Sequence, residues 1–175
     1  MGFYSIAMEQ GGVMKSISKF PIWKVIKIGI GLITADDFRR AFESLCHVID
    51  DSANDIIGRA DFIVSKFKKG VELVVVSTAD LGFKYNASRA DIYKRAIELG
   101  LELCISEIGP QICLQCKNMS HGEYFNIAML PIKDSYGNLR AFGVERDRKK
   151  ILLHGGNGSP NSVWSINSKW VFVRK

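Results

Sequence analysis

The chain lacks the long hydrophobic segments of a membrane protein. No apolar run approaches the roughly 18 to 20 residues that a membrane span needs, because two lysines and two glycines interrupt the longest one, from 22 to 33. Residues 1–12 also lack the basic start and the long apolar centre of a secretory signal. We therefore expect a cytoplasmic protein with no membrane partner.

The sequence also has few of the residues that bind metals or form disulfides, with 4 cysteines and 3 histidines in 175 residues. Cys113 and Cys116 form a Cys-x-x-Cys pair, but no second pair completes a zinc site. Segment 111–117 is predicted to be a strand, in which residues three apart point to opposite faces. We expect both thiols to be reduced and metal-free, and Cys46 and Cys104 to lie in the core.

No cofactor motif stands out either. Gly155–Gly158 is rich in glycine, but it lacks the helix start and the lysine that a phosphate-binding loop requires. A loop between strands is the favoured interpretation, and we expect no cofactor. The sequence has no triad spacing that would identify a hydrolase.

What the sequence does contain is the composition of an ordinary globular protein, with 47% hydrophobic and 24% charged residues. A chain of this length can bury a core without disulfides. We predict a tail over residues 1–21 and one domain over residues 22–175.

Helical spacing dominates the first half of that domain. Thr34 and Ser88 are predicted N-caps of two helices, each followed by an aspartate three residues later. Gly100 is expected to end the second helix. The apolar positions of the two helices predict a buried stripe, which consists of Phe38, Phe42, Leu45, Ile92, Ala96 and Ile97. In the first helix this stripe continues to Val48 and Ile49.

Strand-like alternation replaces helical spacing after about residue 110. Five short segments alternate with period two, and clusters of turn residues separate them: 111–117, 124–131, 139–146, 150–154 and 169–174. Short connections of this kind favour antiparallel pairing. The predicted fold class is therefore α+β, with two amphipathic helices first and an antiparallel, strand-rich second half.

The charge balance is basic, with a formal net charge of +6 and a pI near 9.2. Basic surfaces bind phosphates through the release of counterions, so nucleic acid is a candidate partner. The lysines and arginines are spread along the chain and acidic residues lie among them. A lysine-rich solvated surface is the alternative interpretation.

Candidate acid–base chemistry is confined to a few residues. His121 and Glu123 lie in a predicted hairpin turn, Ser120-His121-Gly122-Glu123, where they could exchange protons near neutral pH. Glu107 is a further candidate for the same role. A turn that needs only solvent is the simpler interpretation and the one we favour.

A second group of candidates could bind a ligand on the predicted strands. The group combines amides and guanidinium groups with indole rings that could stack on a base or sugar, and consists of Gln111, Gln115, Arg140, Arg146, Trp164 and Trp170. These residues could equally form the outer face of an ordinary sheet, with the tryptophans filling its core.

Three segments resemble a group of small uncharacterised bacterial proteins that have no assigned activity. They are residues 90–104, which read ADIYKRAIELGLELC, residues 107–111, which read EIGPQ, and residues 170–174, which read WVFVR. The likeness extends from Pro21 to the end of the chain. It implies a bacterial or mobile-element origin and one recurring structural unit that includes Glu107, Gln111 and the last strand. It implies no catalytic residue.

Three functions are compatible with these observations. The first is a binding or accessory module for nucleic acid or a nucleotide, which charge and aromatic content favour. The second is a small toxin-like ribonuclease or other hydrolase that uses His121 with Glu123 or Glu107. The third is a scaffold that contacts only a protein partner.

Overall fold

The computed structural model describes residues 20–175, in which helices lie on both faces of a large mixed sheet. The α+β prediction is confirmed. The helices are α1 (Ala35–Ser44), α2 (Asp51–Ile57), α3 (Arg89–Glu98) and α4 (Ile108–Gln115). The strands are β1 (Lys24–Ile28), β2 (Val48–Ile49), β3 (Lys69–Ser77), β4 (Ala87–Ser88), β5 (Leu101–Glu102), β6 (Tyr124–Ile127), β7 (Ile132–Lys133), β8 (Leu139–Asp147), β9 (Lys150–Asn157), β10 (Val163–Trp164) and β11 (Lys169–Arg174). Residues 1–19 of the predicted tail lie outside the described residues.

The sheet brings distant parts of the chain together. Its strand order is β1-β3-β11-β6-β8-β9-β2, with β5 added beside β11 and β7 beside β8. Strands β4 and β10 form a separate pair. Most neighbours in the large sheet are antiparallel, but β11 runs parallel to β6, and β2 runs parallel to β9. The last strand, β11, therefore lies in the middle of the sheet, between β3 and β6.

The two faces of the sheet are covered to different extents. Helices α1, α2 and α4 pack on one face, which we call the helical face, over a core that includes Leu73 and Val171. Helix α3 packs on the other, the α3 face, over a smaller core that includes Val74 and Trp170. Neighbouring residues of β3 and β11 thus enter different cores, as the alternation of a strand buried on both faces requires.

The predicted helix caps are confirmed at both sites. The hydroxyl of Thr34 accepts a hydrogen bond from the Asp37 amide, and the Asp37 carboxylate accepts one from the Thr34 amide at 2.8 Å. Hydrogen bonds from Thr34 and from the Ile33 amide to the carboxylate lower the pKa of Asp37 to about 2. Ser88 accepts a hydrogen bond from the Asp91 amide at 3.1 Å. Gly100 follows α3 with φ +83°, a conformation that favours glycine.

The predicted apolar stripe is wrong at its ends. Phe38, Phe42, Ile92 and Ala96 are buried, but Leu45 and Ile97 are 42% and 54% exposed. Helix α1 ends at Ser44 because the chain turns at Cys46, whose φ is +53°. Val48 and Ile49 consequently belong to β2. Cys46 is exposed, so its placement in the core was also wrong.

Segment 111–117 is mostly helical, which corrects the predicted strand there. Pro110 is the third residue of α4, where the amide needs no partner within the helix, so it does not break the helix. Cys113 and Cys116 are buried free thiols, and burial raises the pKa of Cys113 well above its ordinary value and that of Cys116 to about 11. Cys104 is buried, as predicted.

Most of the glycine-rich segment is a strand where a loop was predicted, because β9 continues through Gly155 and Gly156 to Asn157; Gly158 follows the strand. A Cβ atom at Gly155 would lie 2.5 to 2.6 Å from atoms of Ser52 and Ala53 at the start of α2. The glycine therefore lets α2 approach the sheet closely. Packing, and not a need for flexibility, explains this residue.

Phe42 provides a test of the core beneath α1. Its side chain is 2% exposed, so Phe42→Ala should lower the free energy of unfolding by about 3 to 5 kcal/mol, because burial is reduced and a cavity remains. Leu45→Ala is the matched control, and we expect it to cost about 1 kcal/mol or less. Urea denaturation measures both. Equal losses of stability in the two variants would contradict the observed end of α1.

Candidate functional site

Within residues 20–175, no helix packs over β6, β8 and β9 on the α3 face, because α3 contacts mainly β4 and β5. Partners in the strand register share a face, so Trp170 of β11, Asn126 of β6, Gly143 of β8 and His154 of β9 form one row across the sheet. Helix α3 and its core reach the β11 end of this row. Small and polar residues continue the row beyond it: Asn126 and Gly143 are buried, Gly143 beneath the Tyr124 hydroxyl, and His154 is half-buried.

A cavity of about 420 Å³ lies at the edge of this area. It is formed by the turn before β6, the start of β6, the end of β10 and the turn before β11. We call it the β6 groove. Its lining residues are His121, Gly122, Glu123, Tyr124, Asn126, Trp164, Asn167, Ser168 and Lys169.

Two tryptophans have different roles at this groove. Trp164 lines the groove, whereas Trp170 is fully buried beneath it. The ring centres are 5.1 Å apart in an edge-to-face arrangement. The Trp170 indole donates a hydrogen bond to the Thr78 hydroxyl at 3.1 Å. Trp170 therefore supports Trp164 and has no surface of its own for a ligand, in contrast to the predicted stacking role.

His121 and Glu123 both line the groove, and each is held by a backbone amide. His121 Nδ1 accepts a hydrogen bond from the Arg148 amide at 3.0 Å, so the neutral ring carries its proton on Nε2. Glu123 Oε2 accepts one from the Ser120 amide at 2.7 Å, and its Oε1 lies 4.0 Å from Lys169 Nζ. No hydrogen bond joins His121 directly to Glu123 in the described part of the chain.

Tyr124 forms the wall of the groove towards β8. Its hydroxyl lies against Gly143, where any Cβ atom would collide with it. Burial and the nearby Glu145 carboxylate raise the pKa of Tyr124. The phenol can donate a hydrogen bond.

A histidine between two carboxylates lies beside Tyr124, and the sequence patterns did not identify it. His154 Nε2 is 2.9 Å from Glu145 Oε2, and its Nδ1 is 3.2 Å from Asp50 Oδ2. Asp50 also caps α2 by accepting a hydrogen bond from the Ala53 amide. Both ring nitrogens are thus engaged, so the cluster links α2 to β8 and β9. No local motif could have revealed it, because its members come from residues 50, 145 and 154.

Glu107 lies away from the groove, in the core beneath the helical face. Its side chain is wholly buried, and its oxygens accept hydrogen bonds from Gly29 N at 2.9 Å, Ser65 N at 2.8 Å and Gln111 Nε2 at 3.0 Å. Gln115 continues the row by donating to Gln111 Oε1 at 2.8 Å and to the Lys27 carbonyl at 2.7 Å. These three side chains connect α4 to two loops and to β1. The predicted strand placed the two glutamines beside the tryptophans. In the structure they do not adjoin them.

The two candidate arginines also lie outside the groove. Arg140 Nε donates to Asp134 Oδ2 at 2.8 Å, an interaction that lowers the pKa of Asp134 to about 2. Arg146 alternates with Glu145 along β8 and therefore points to the helical face. There, burial lowers the pKa of His47, and the positive charge of Arg146 lowers it further. Of the predicted site residues, the structure brings together His121, Glu123 and Trp164.

The other residues of the groove were not predicted, although one signal for them exists. Tyr124 and Asn126 alternate with Phe125 and Ile127 in β6. Period two therefore places Tyr124 and Asn126 together on the α3 face, opposite the larger core that contains Phe125 and Ile127. Lys169 begins the last predicted strand. Asn167 and Ser168 belong to a turn without any pattern of its own.

Within residues 20–175, no group of three His, Cys, Asp or Glu side chains is arranged to hold a metal ion. The same range contains no helix of sufficient length and apolarity to cross a membrane. Comparison with known proteins adds no assignment: no family model, no curated protein and no solved structure matches the chain. The resemblance to uncharacterised bacterial proteins stays a prediction.

The contacts of Glu107 predict a structural effect on substitution. Glu107→Gln replaces one acceptor oxygen by an amide that faces a backbone N–H, and it should lower the free energy of unfolding by about 1 to 3 kcal/mol. Glu102→Gln, at an exposed position of β5, should change it by about 0.5 kcal/mol or less. Thermal and urea unfolding provide the measurement. An unchanged stability in Glu107→Gln would show that these hydrogen bonds do not hold the loops.

Proposed function

We propose that this protein is a binding module for single-stranded nucleic acid and that the β6 groove is its contact surface. The observation that supports this function is the composition of the groove, in which the rings of Trp164 and Tyr124 lie beside amide groups and Lys169. Its volume is within the range of about 300 to 1,000 Å³ that is typical of ligand pockets.

The aromatic rings supply a means of holding bases. Stacking of a base on an aromatic side chain contributes about 1 to 3 kcal/mol and tolerates any base. Trp164 is half-buried and supported from below by Trp170, so its ring is fixed before the ligand arrives. The exposed amide of Asn167 can donate to and accept from base edges, whereas Asn126 is buried and its Nδ2 donates to the Lys169 carbonyl at 3.1 Å.

Positive charge near the groove supplies a means of holding phosphates. Lys169 lines it, with Nζ 4.0 Å from Glu123 Oε1 and 5.8 Å from the centre of the Phe125 ring. The turn between β8 and β9 carries exposed Arg148 and Lys149, and exposed Lys150 begins β9. The hydrogen bond from the Arg148 amide to His121 joins this turn to the groove. Part of the net charge of +6 is therefore concentrated where a strand leaving the groove would pass.

A ribonuclease remains the second candidate, because of the way His121 is held. With Nδ1 occupied by a backbone amide, the neutral ring carries its proton on Nε2 and can donate a hydrogen bond to a phosphate oxygen. Glu123 provides a carboxylate, and Lys169 provides a cation for a pentacovalent phosphate. Glu107 has no part in this chemistry, since its oxygens are buried and hydrogen-bonded elsewhere.

Salt-dependent binding tests the proposed module. A labelled single-stranded RNA should bind with an affinity that falls with salt. Lys169→Gln and Arg148→Gln should each lower the slope of log K against log salt by about 0.7, because each variant neutralises one phosphate fewer. Lys66→Gln is the control, because Lys66 is exposed in the loop that Glu107 holds on the other side of the sheet. If all three variants bind like the unsubstituted protein, the groove is not the contact surface.

The same RNA distinguishes the other two functions. A ribonuclease would shorten it, and His121→Ala would abolish cleavage more than binding. A protein with neither salt-sensitive binding nor cleavage at micromolar concentration would contradict both nucleic-acid functions. The scaffold that contacts a protein partner would then be the hypothesis to pursue.

A further inference from the structure

Arg89 is a buried cation without an anionic partner. It is the first residue of α3, and its side chain lies in the smaller core with the residue only 3% exposed. Its Nη1 donates to the Tyr93 hydroxyl at 2.7 Å and its Nη2 donates to the Asn157 carbonyl at 2.6 Å. Neither acceptor is charged. Among residues 20–175, no ion pair includes Arg89.

Aromatic rings surround the guanidinium group and offset part of the cost of its burial. Its central carbon lies 5.1 Å from the ring centres of Trp164 and Trp170 and 5.6 Å from that of Tyr93. Aromatic quadrupoles attract a cation but do not neutralise it. A buried charge without a counter-charge is costly, so structures rarely retain one without a use for it.

Two hydrogen-bond donors in this region have no acceptor. Arg89 Nε and Trp164 Nε1 are both buried and both lack a partner. Unsatisfied buried N–H groups are rare and call for an explanation. Both are donors, so an oxygen that accepts hydrogen bonds would satisfy them. A water molecule could do so, but only an anion would also neutralise Arg89.

The region of Arg89 is continuous with the β6 groove. Trp164 contacts Arg89 and also lines the groove. Tyr124 also lines the groove. Burial and Glu145 raise its pKa, and the charge of Arg89 opposes that rise, so Arg89 lies within electrostatic range of Tyr124. Both donors are shielded from solvent, so an anion that enters from the groove reaches them only when side chains beside Trp164 shift.

We propose that Arg89 and Trp164 form an anion subsite of the β6 groove that binds the terminal phosphate of a single-stranded nucleic acid. This inference rests on the proposed function. A phosphodiester within a strand has a nucleotide on either side and stays on the open surface, whereas a terminal phosphate can reach a buried guanidinium group. Charge-assisted hydrogen bonds from arginine suit such a group, which carries more charge than a phosphodiester.

Three forms of one short single-stranded RNA test the subsite: one with a 5′-phosphate, one with a 3′-phosphate and one with hydroxyls at both ends. We expect one phosphorylated form to bind at least tenfold more tightly than the hydroxyl form. Trp164→Phe keeps an aromatic ring but removes the N–H donor, so it should remove most of that preference. Because Trp164 is part of the groove, the preference is measured as the ratio of the affinities of one variant for the phosphorylated and hydroxyl forms. Equal affinity for the three forms would overturn the proposal.

A matched tryptophan variant separates the subsite from general attraction between charges. Trp23 packs against Phe125 under the helical face, so Trp23→Phe should retain the full preference for the phosphorylated end. Loss of the preference in both variants would overturn the subsite. Circular dichroism verifies that each variant is folded, and Arg89→Lys tests the guanidinium group directly, with the same loss expected.

A failure of the proposed function can be distinguished from a failure of the subsite. If no RNA form binds, inorganic phosphate and a nucleoside monophosphate are tested by thermal unfolding at constant ionic strength. Stabilisation that Trp164→Phe abolishes would support the anion subsite and show that the module binds a small phosphorylated ligand. The absence of stabilisation would overturn both proposals.

Discussion

The burial of Trp170 in the central strand is the interaction that holds the candidate site together. Strand β11 lies between β3 and β6, and its indole is held by the Thr78 hydroxyl at 3.1 Å and by edge-to-face contacts with Tyr93 and Trp164. Through these contacts Trp170 fixes the ring that lines the β6 groove and forms part of the aromatic surroundings of Arg89. The parallel register of β11 with β6 then brings Lys169 to the turn that carries His121. A groove made from residues about 40 apart in the sequence thus results from one pairing in the middle of the sheet.

Several features of the fold could be predicted because their causes are local. Thr34 and Ser88 cap helices through side chains that reach amides three residues away. Segment 111–117 could not be assigned in this way. Gly109-Pro110 is typical of a turn, and a short apolar segment fits either period. The helix forms there because Ile108 and Ile112 are buried beneath it, and because Gln111 and Gln115 continue the hydrogen bonds of Glu107 along one side at spacings of four.

The candidate site was predictable only in part, for a related reason. His121 and Glu123 share a turn, so their proximity followed from sequence. Trp164 lies near them because it packs on Trp170 of β11, which pairs with β6. Arg140 and Arg146 have the residue type that binds phosphate, but Asp134 holds the first and the strand alternation directs the second to the other face. Arg89 belongs to a residue type that is mostly exposed in folded proteins. It is buried because its helix begins against β9 and the tryptophans. Hydrophobic periodicity within a helix cannot predict this contact, because it joins distant parts of the chain.

Ligand binding at the β6 groove can be observed residue by residue. The most direct measurement is a nuclear magnetic resonance titration of isotope-labelled protein with a short single-stranded RNA, observed at backbone amides and indole N–H groups. We expect the largest shifts on the residues of the β6 groove and on the Trp164 indole, while the signals of the Trp23 indole and of the amides of α1 and α2 stay in place. Shifts centred on α1 and α2, or on the loops that Glu107 holds, would contradict binding at the groove.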